Sequence, residues 1–166
     1  NNTSRDTELA FVGRLVSDKG TGCLLQALAT LKKKMITPRL SIIGDGPERV
    51  RLEEMCLELG LRDQVRFLGA KSQSEISAIL RRHRILVVPT VVAEGFGVVA
   101  LEGLASGCVI VGSDQGGLPE AIGPCGLTFP NGDVNALAKN IEMALVDRDS
   151  ASRLLNGVEL HLAKHR

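Results

Sequence analysis

The chain has no tryptophan and no tyrosine, and its 166 residues include only four phenylalanines. So few aromatic faces suit neither a carbohydrate-binding module, which stacks on sugar rings, nor a single-strand nucleic-acid binder, which stacks on bases. A dominant charge is also missing. Twenty Lys and Arg against nineteen Asp and Glu leave a formal net charge of +1, so no broad positive field recommends nucleic acid as a partner. The four cysteines, Cys23, Cys56, Cys108 and Cys125, are widely spaced, with no C-x-x-C pair and no histidines at zinc spacing. Neither a zinc site nor a disulfide framework is indicated, and a reducing cytoplasm fits best. No apolar run approaches the roughly 18 residues of a membrane span, and no signal-type segment opens the chain. Because it begins at Asn1 rather than Met, the chain is expected to be a piece of something longer. The N-x-[ST] matches at Asn1 and Asn2 would carry no sugar in a cytoplasmic linker.

What is present is the makeup of an ordinary globular domain, 44% hydrophobic and 23% charged, long enough to bury a core. Residues 1–7 form a polar linker, and one domain is expected over residues 8–166. Two basic runs, Lys32-Lys33-Lys34 and Arg81-Arg82-His83-Arg84, fall at predicted helix ends and are expected to be solvated faces, where cations suit the macrodipole.

Apolar runs alternate with helix-periodic segments. Strands are predicted at Leu9–Val12, Leu40–Ile43, Val65–Leu68, Ile85–Val88, Val109–Val111 and Gly126–Phe129. Leu24, Leu25, Leu28, Leu31 and Met35 recur at helical spacing. Further helices are predicted from Pro47 to Leu59 with Gly60 as stop, from Ser72 or Ser74 through Leu80, over Phe96–Ser106, over Asp133–Val146 with Asp133 as cap, and over Ser150–Ala163. Short β-branched strands between amphipathic helices predict a doubly wound α/β domain, a parallel sheet with helices on both faces. Ligands of such sheets bind beyond the carboxyl ends of the strands, so the strand-to-helix loops carry the chemistry.

The first such loop, Gly13-Arg14-Leu15-Val16-Ser17-Asp18-Lys19-Gly20, offers two cations beside glycines and is a candidate diphosphate clamp. It is not a P-loop, because Asp18 stands where a glycine should precede the lysine. The alternative is that Arg14 and Lys19 are exposed loop charges. The second loop, Gly44-Asp45-Gly46-Pro47-Glu48-Arg49, starts like a dinucleotide fingerprint, but Arg49 replaces the third glycine, so a nicotinamide or flavin cofactor is not expected. A tight turn feeding a Pro-started helix explains it. The third segment runs from Pro89 to Glu102 and sets Glu94, Gly95, Phe96 and Gly97 just before an apolar helix whose free amides could hold phosphate. Glu94 falls in the loop and Glu102 inside the helix. In its apolar stretch Glu102 needs a cation, donors or a hydroxylated ligand such as a ribose diol; a core-facing arginine would satisfy it equally.

With these residues in view, the chain resembles the C-terminal, nucleotide-sugar-binding domain of glycosyltransferase family 4, the group 1 glycosyltransferases with a GT-B fold of two Rossmann-like halves. Its Glu-x7-Glu signature is matched by Glu94 and Glu102. Supporting matches, in the family's order, are Phe11-Val12-Gly13-Arg14 with Lys19-Gly20, Gly44-Asp45-Gly46-Pro47, Val65-Arg66-Phe67-Leu68-Gly69 and Gly116-Gly117-Leu118-Pro119-Glu120. The resemblance implies a retaining transferase in which Arg14 and Lys19 neutralise the donor diphosphate and act with Glu94 in catalysis. It puts Glu94 beside the transferred sugar and Glu102 on the ribose hydroxyls. Gly95, Phe96 and the backbone amides of Gly97 and Val98 would surround the phosphate, and Phe67 and Leu68 would border the base. It implies a nucleoside-diphosphate sugar as donor, UDP-sugar by preference, and neither metal nor other cofactor. The acceptor, a glycan or lipid-linked sugar of bacterial surface polysaccharide or lipopolysaccharide synthesis, would be held by an N-terminal domain not in this chain. That domain would also make any peripheral contact with the inner membrane face, and this chain alone would not catalyse transfer. Two rivals stay open: a stand-alone nucleotide-binding regulatory module, and half of a nucleotide-sugar epimerase, against which the Glu-x7-Glu spacing speaks.

Overall fold

A computed structural model of the protein describes residues 5–91, 97–146 and 158–163. Six strands, β1 (Thr7–Val12), β2 (Leu40–Ile43), β3 (Val65–Gly69), β4 (His83–Val88), β5 (Val109–Ser113) and β6 (Gly126–Phe129), form one sheet in the order β3-β2-β1-β4-β5-β6. Every pairing is parallel. The helices are α1 (Thr21–Lys32), α2 (Arg49–Glu58), α3 (Gln73–Leu80), α4 (Val98–Ala105), α5 (Leu118–Ile122), α6 (Val134–Val146) and α7 (Val158–Ala163).

Period-2 alternation along the strands divides the core. Leu9 and Phe11 of β1 join the cluster under α1, α2 and α6, while Ala10 and Val12 face the cluster under α3, α4 and α5. A sheet covered on both faces explains the near-continuous apolar strands: all four residues of β2 are buried. The predicted doubly wound architecture is the one found. Helix starts follow local chemistry. Ser72 and Glu75 form a complete capping box at α3, and the Asp133 carboxylate accepts from Ala136 N at 2.9 Å ahead of α6.

Four differences from the sequence-based expectation have physical causes. β1 begins at Thr7, which pairs with His83, and the Arg5 guanidinium donates to the carbonyls of Leu80, His83 and Ser106. From Arg5 onward the expected linker is therefore part of the domain. The Arg81–Arg84 run is not a solvated face throughout: His83 is buried, Arg82 pairs with Asp6 at 2.8 Å, and Arg84 donates to Leu145 O at 3.1 Å. Met35 does not belong to the buried stripe of α1, because the helix ends at Lys32 and Met35 turns away at φ 63°, 90% exposed. Helix α5 and a 3-10 turn at Ser17–Lys19 are too short to show a period. Of the predicted last helix, Val158–Ala163 is described; its earlier part, like Phe96 at the predicted start of α4, lies outside the described residues. All four cysteines are free thiols, and burial pushes those of Cys56 and Cys108 up to about 11.

Candidate functional site

The chain winds outward from β1 through β2 to β3, returns to β4 beside β1, and then winds the other way. The carboxyl ends of β1 and β4 therefore form the switch point of the sheet, where ligands bind in such folds.

The β1 side is a pair of interlocked loops. Gly13 N donates to Ile43 O, Leu15 N to Asp45 O and Glu48 N to Leu15 O, each at 3.0 Å. A Cβ on Gly44 would sit 1.8 Å from the Gly13 carbonyl oxygen, and one on Gly46 would sit 2.6 Å from that of Leu15. The Gly44-Asp45-Gly46 segment is thus more than the turn expected before a helix. It is the bed on which the Arg14 loop lies, with two glycines where backbone meets backbone. Arg14 and Asp45 line an open cleft of about 450 Å³, whose other wall is Ala70, Lys71 and Ile76. A bulge precedes that wall. Ile42 pairs with Phe67 and Ile43 with Gly69, which leaves Leu68 as the extra residue, and Gly44 N then bonds Gly69 O at 2.9 Å. Lys71, a cation in this wall, went unnoticed because a lone lysine after a strand carries no motif.

Phe67 is not among the residues that line this cleft. It packs against the core on the α2 face, with the Arg49 guanidinium 6.0 Å from its ring centroid, in a groove shared with Glu53 and Leu57.

On the β4 side, Val91 N and Thr90 Oγ1 both donate to Asp18 O at 3.0 Å. Gly20, at φ 76°, presses so close to the Pro89 carbonyl that a Cβ would lie 1.8 Å from its oxygen. Asn131 donates from Nδ2 to Val91 O at 2.6 Å. The strand-end loop is therefore pinned at Val91 from two directions. Glu94, Gly95 and Phe96, with Val92 and Ala93, lie outside the described residues. Lys19, in the turn that holds Val91, runs its side chain past Gly13.

Gly97, at φ 74°, is the N-cap of α4 and is buried against Leu118 and Ala121. Val98 opens the helix, 59% exposed, and the first amides of a helix have no partner within it. One turn later Glu102 is half-buried. Its Oε2 accepts from Gln73 Nε2 of α3 at 2.7 Å, so the donor it needed is a neutral amide and not an arginine. Ile76, one turn along α3 from Gln73, lines the cleft with Arg14. Arg14 thus lines the cleft, Lys19 runs past Gly13 beside it, and Glu102 is tied to α3, the helix whose Ile76 lines the same cleft. Among the described residues no group of three His, Cys, Asp or Glu could hold a metal ion, and no helix is long and apolar enough to cross a membrane.

Over residues 1–158 the chain matches the family model of the glycosyl transferases group 1. The chain belongs to this family. Among group 1 relatives it is similar to the D-inositol 3-phosphate glycosyltransferase of Corynebacterium urealyticum, 34% identical over 166 aligned residues that cover 95% of this chain and 39% of that protein. Among solved structures it is similar to the sucrose-phosphate synthase of Thermosynechococcus elongatus, with TM-score 0.85 and 30% identity over 98% of this chain and 42% of that one. Anabaena HepE in complex with UDP shares the fold, with TM-score 0.85 and 22% identity over 96% of this chain and 44% of that one. The chain thus spans less than half the length of these relatives, and its fold is that of one half of a GT-B glycosyltransferase.

Proposed function

We propose that this chain is the donor-binding half of a retaining glycosyltransferase, with the nucleoside diphosphate of the donor sugar seated at the carboxyl ends of the strands, beside the Arg14 cleft. The observation that carries this reading is the cleft at the carboxyl ends of β1 and β2, lined by Arg14 and Lys71, with Glu102 held by Gln73 of α3, the helix whose Ile76 lines that cleft. Departure of a nucleoside diphosphate builds negative charge on phosphate oxygens. Fixed cations at Arg14 and Lys19 and the α4 amides at Gly97 and Val98 lower that barrier by electrostatics, with no metal required in this reading. Glu102 accepts hydrogen bonds from the ribose hydroxyls. Glu94, on the loop that Val91 begins, serves the transferred sugar, and the Ala70–Lys71 wall borders the base. Uridine is the favoured base, in keeping with HepE, which is solved with UDP. The acceptor, a glycan or lipid-linked sugar of bacterial surface polysaccharide synthesis at the cytoplasmic membrane face, is held by a second domain, so this chain alone binds donor without transferring sugar.

The test is thermal denaturation of the protein with UDP, GDP, ADP and NAD. A ligand at about ten times its Kd adds roughly 1.4 kcal/mol, or about 2–4 °C at this size. One nucleoside diphosphate should raise Tm, Arg14→Ala should abolish the shift, and Glu102→Ala should reduce it. A shift with NAD alone would point to a dinucleotide enzyme, and no shift with any nucleotide would overturn the reading of a self-sufficient donor site.

A further inference from the structure

Gln73 takes part in no backbone ladder or core contact that would require its side chain to be ordered. It is exposed at the first position of α3, yet it reaches across to a helix 29 residues on and donates to Glu102 Oε2 at 2.7 Å. Its backbone is fixed by the capping box directly before it, in which Ser72 Oγ accepts from Glu75 N at 3.2 Å and Ser72 N donates to Glu75 Oε1 at 2.8 Å. An exposed glutamine loses rotamer freedom to hold one such bond, and the bond occupies one carboxylate oxygen only. Among the described residues Glu102 Oε1 accepts from no protein group.

We infer that Gln73 is a positioning residue for the ribose site: its amide holds the Glu102 carboxylate so that Oε1 faces the diol of a bound nucleoside diphosphate. This rests on the donor reading of the crevice. The neutrality of the amide matters. A lysine or arginine here would draw the carboxylate into an ion pair and compete with the ligand, whereas an amide orients it and leaves its negative charge for hydroxyl donors. A carboxylate on an unsupported helix side chain would sample several rotamers, and ligand binding would have to select one.

The test compares calorimetric Kd values of UDP and GDP with those of their 2′,3′-dideoxy forms, which lack the diol. Gln73→Ala should weaken whichever nucleoside diphosphate binds by about three- to tenfold, on the scale of one hydrogen bond to a charged group, and leave its dideoxy form unchanged. In a Glu102→Ala background the same substitution should cost nothing more, and Tm without ligand should not move. The inference is overturned if Gln73→Ala weakens ribose and dideoxy forms equally, or if Glu102→Ala removes diol discrimination while Gln73→Ala does not. Failure of the donor reading looks different, because the unsubstituted protein then binds no nucleoside diphosphate at all, and the inference falls with it.

Discussion

Arg5 lies outside every helix and strand, yet its guanidinium donates to Leu80 O at 3.2 Å, His83 O at 2.6 Å and Ser106 O at 2.7 Å. It thereby satisfies carbonyls at the ends of α3 and α4 that have no partner within their helices, and that of His83 at the start of β4. Gly107, at φ 87°, stands so close that a Cβ there would meet the guanidinium. Arg5→Ala should lower unfolding stability by about 2 kcal/mol, the cost of losing charged hydrogen bonds to partly buried carbonyls. A urea midpoint that falls with an unchanged slope would report it, and a variant as stable as the parent would show that water replaces the guanidinium. At this scale the sequence is hard to read. An arginine in a polar leader looks like linker, and Gln73 and Lys71 lie in a polar stretch, Lys71–Ser74, with no period. What makes each of them informative is a partner distant in sequence, which composition and local spacing cannot reveal.

At the scale of elements much more was legible, because strands buried on both faces must be apolar and helices on a sheet must carry an apolar stripe. The carboxylate, arginine and glycine positions of the crevice could be read as candidates for the same reason: they stand at strand ends, where the core has no use for them. What a single strand or loop could not disclose was which loop rests on which. Gly44 and Gly46 read as a turn, and only the fold shows that the turn supports the Arg14 loop. Gly44→Ala combines an unfavourable φ of 138° with a Cβ 1.8 Å from the Gly13 carbonyl oxygen, and should cost about 2–3 kcal/mol. Because the clash pushes on the residue before Arg14, nucleotide binding should weaken as well. Gly22→Ala is the matched control: in α1 its Cβ meets only Met55 Sδ at 4.0 Å, so it should be neutral or stabilise by up to about 1 kcal/mol through helix propensity. Chemical denaturation of the two variants distinguishes close approach from a general sensitivity to losing glycine. Equal effects would mean that the loop bed yields.

The whole molecule is polar at both ends of the sheet, but for different purposes. The carboxyl end gathers charged groups around an open crevice. The amino end closes on a buried histidine: His83 bonds Ile79 O through Nδ1 at 2.7 Å and Ser41 Oγ through Nε2 at 2.9 Å. A carbonyl can only accept, so Nδ1 carries the proton and Nε2 accepts from the serine hydroxyl in the neutral ring. Burial depresses the His83 pKa below its ordinary 6.5, against the Ile79 carbonyl bond and the more distant charges of Asp6 and Glu8, which raise it; Arg5 acts in the same direction as burial. The unfolded chain, whose imidazole is ordinary, therefore binds a proton that the folded chain refuses. His83 contributes full stability above pH 6.5, and that contribution is lost as the pH falls from there toward the depressed folded value, by at most about 1.4 kcal/mol per pH unit. The loss should begin well before carboxylates with ordinary pKa values near 4 start to take up protons. Denaturation midpoints of the ligand-free protein between pH 7.5 and 5 should fall on this curve. In His83→Asn, which keeps a polar group against Ser41 without a titrating ring, they should be lower but level across the same range. A parent protein with a flat profile would mean that His83 accommodates its second proton by rotating Ser41 and keeping both bonds.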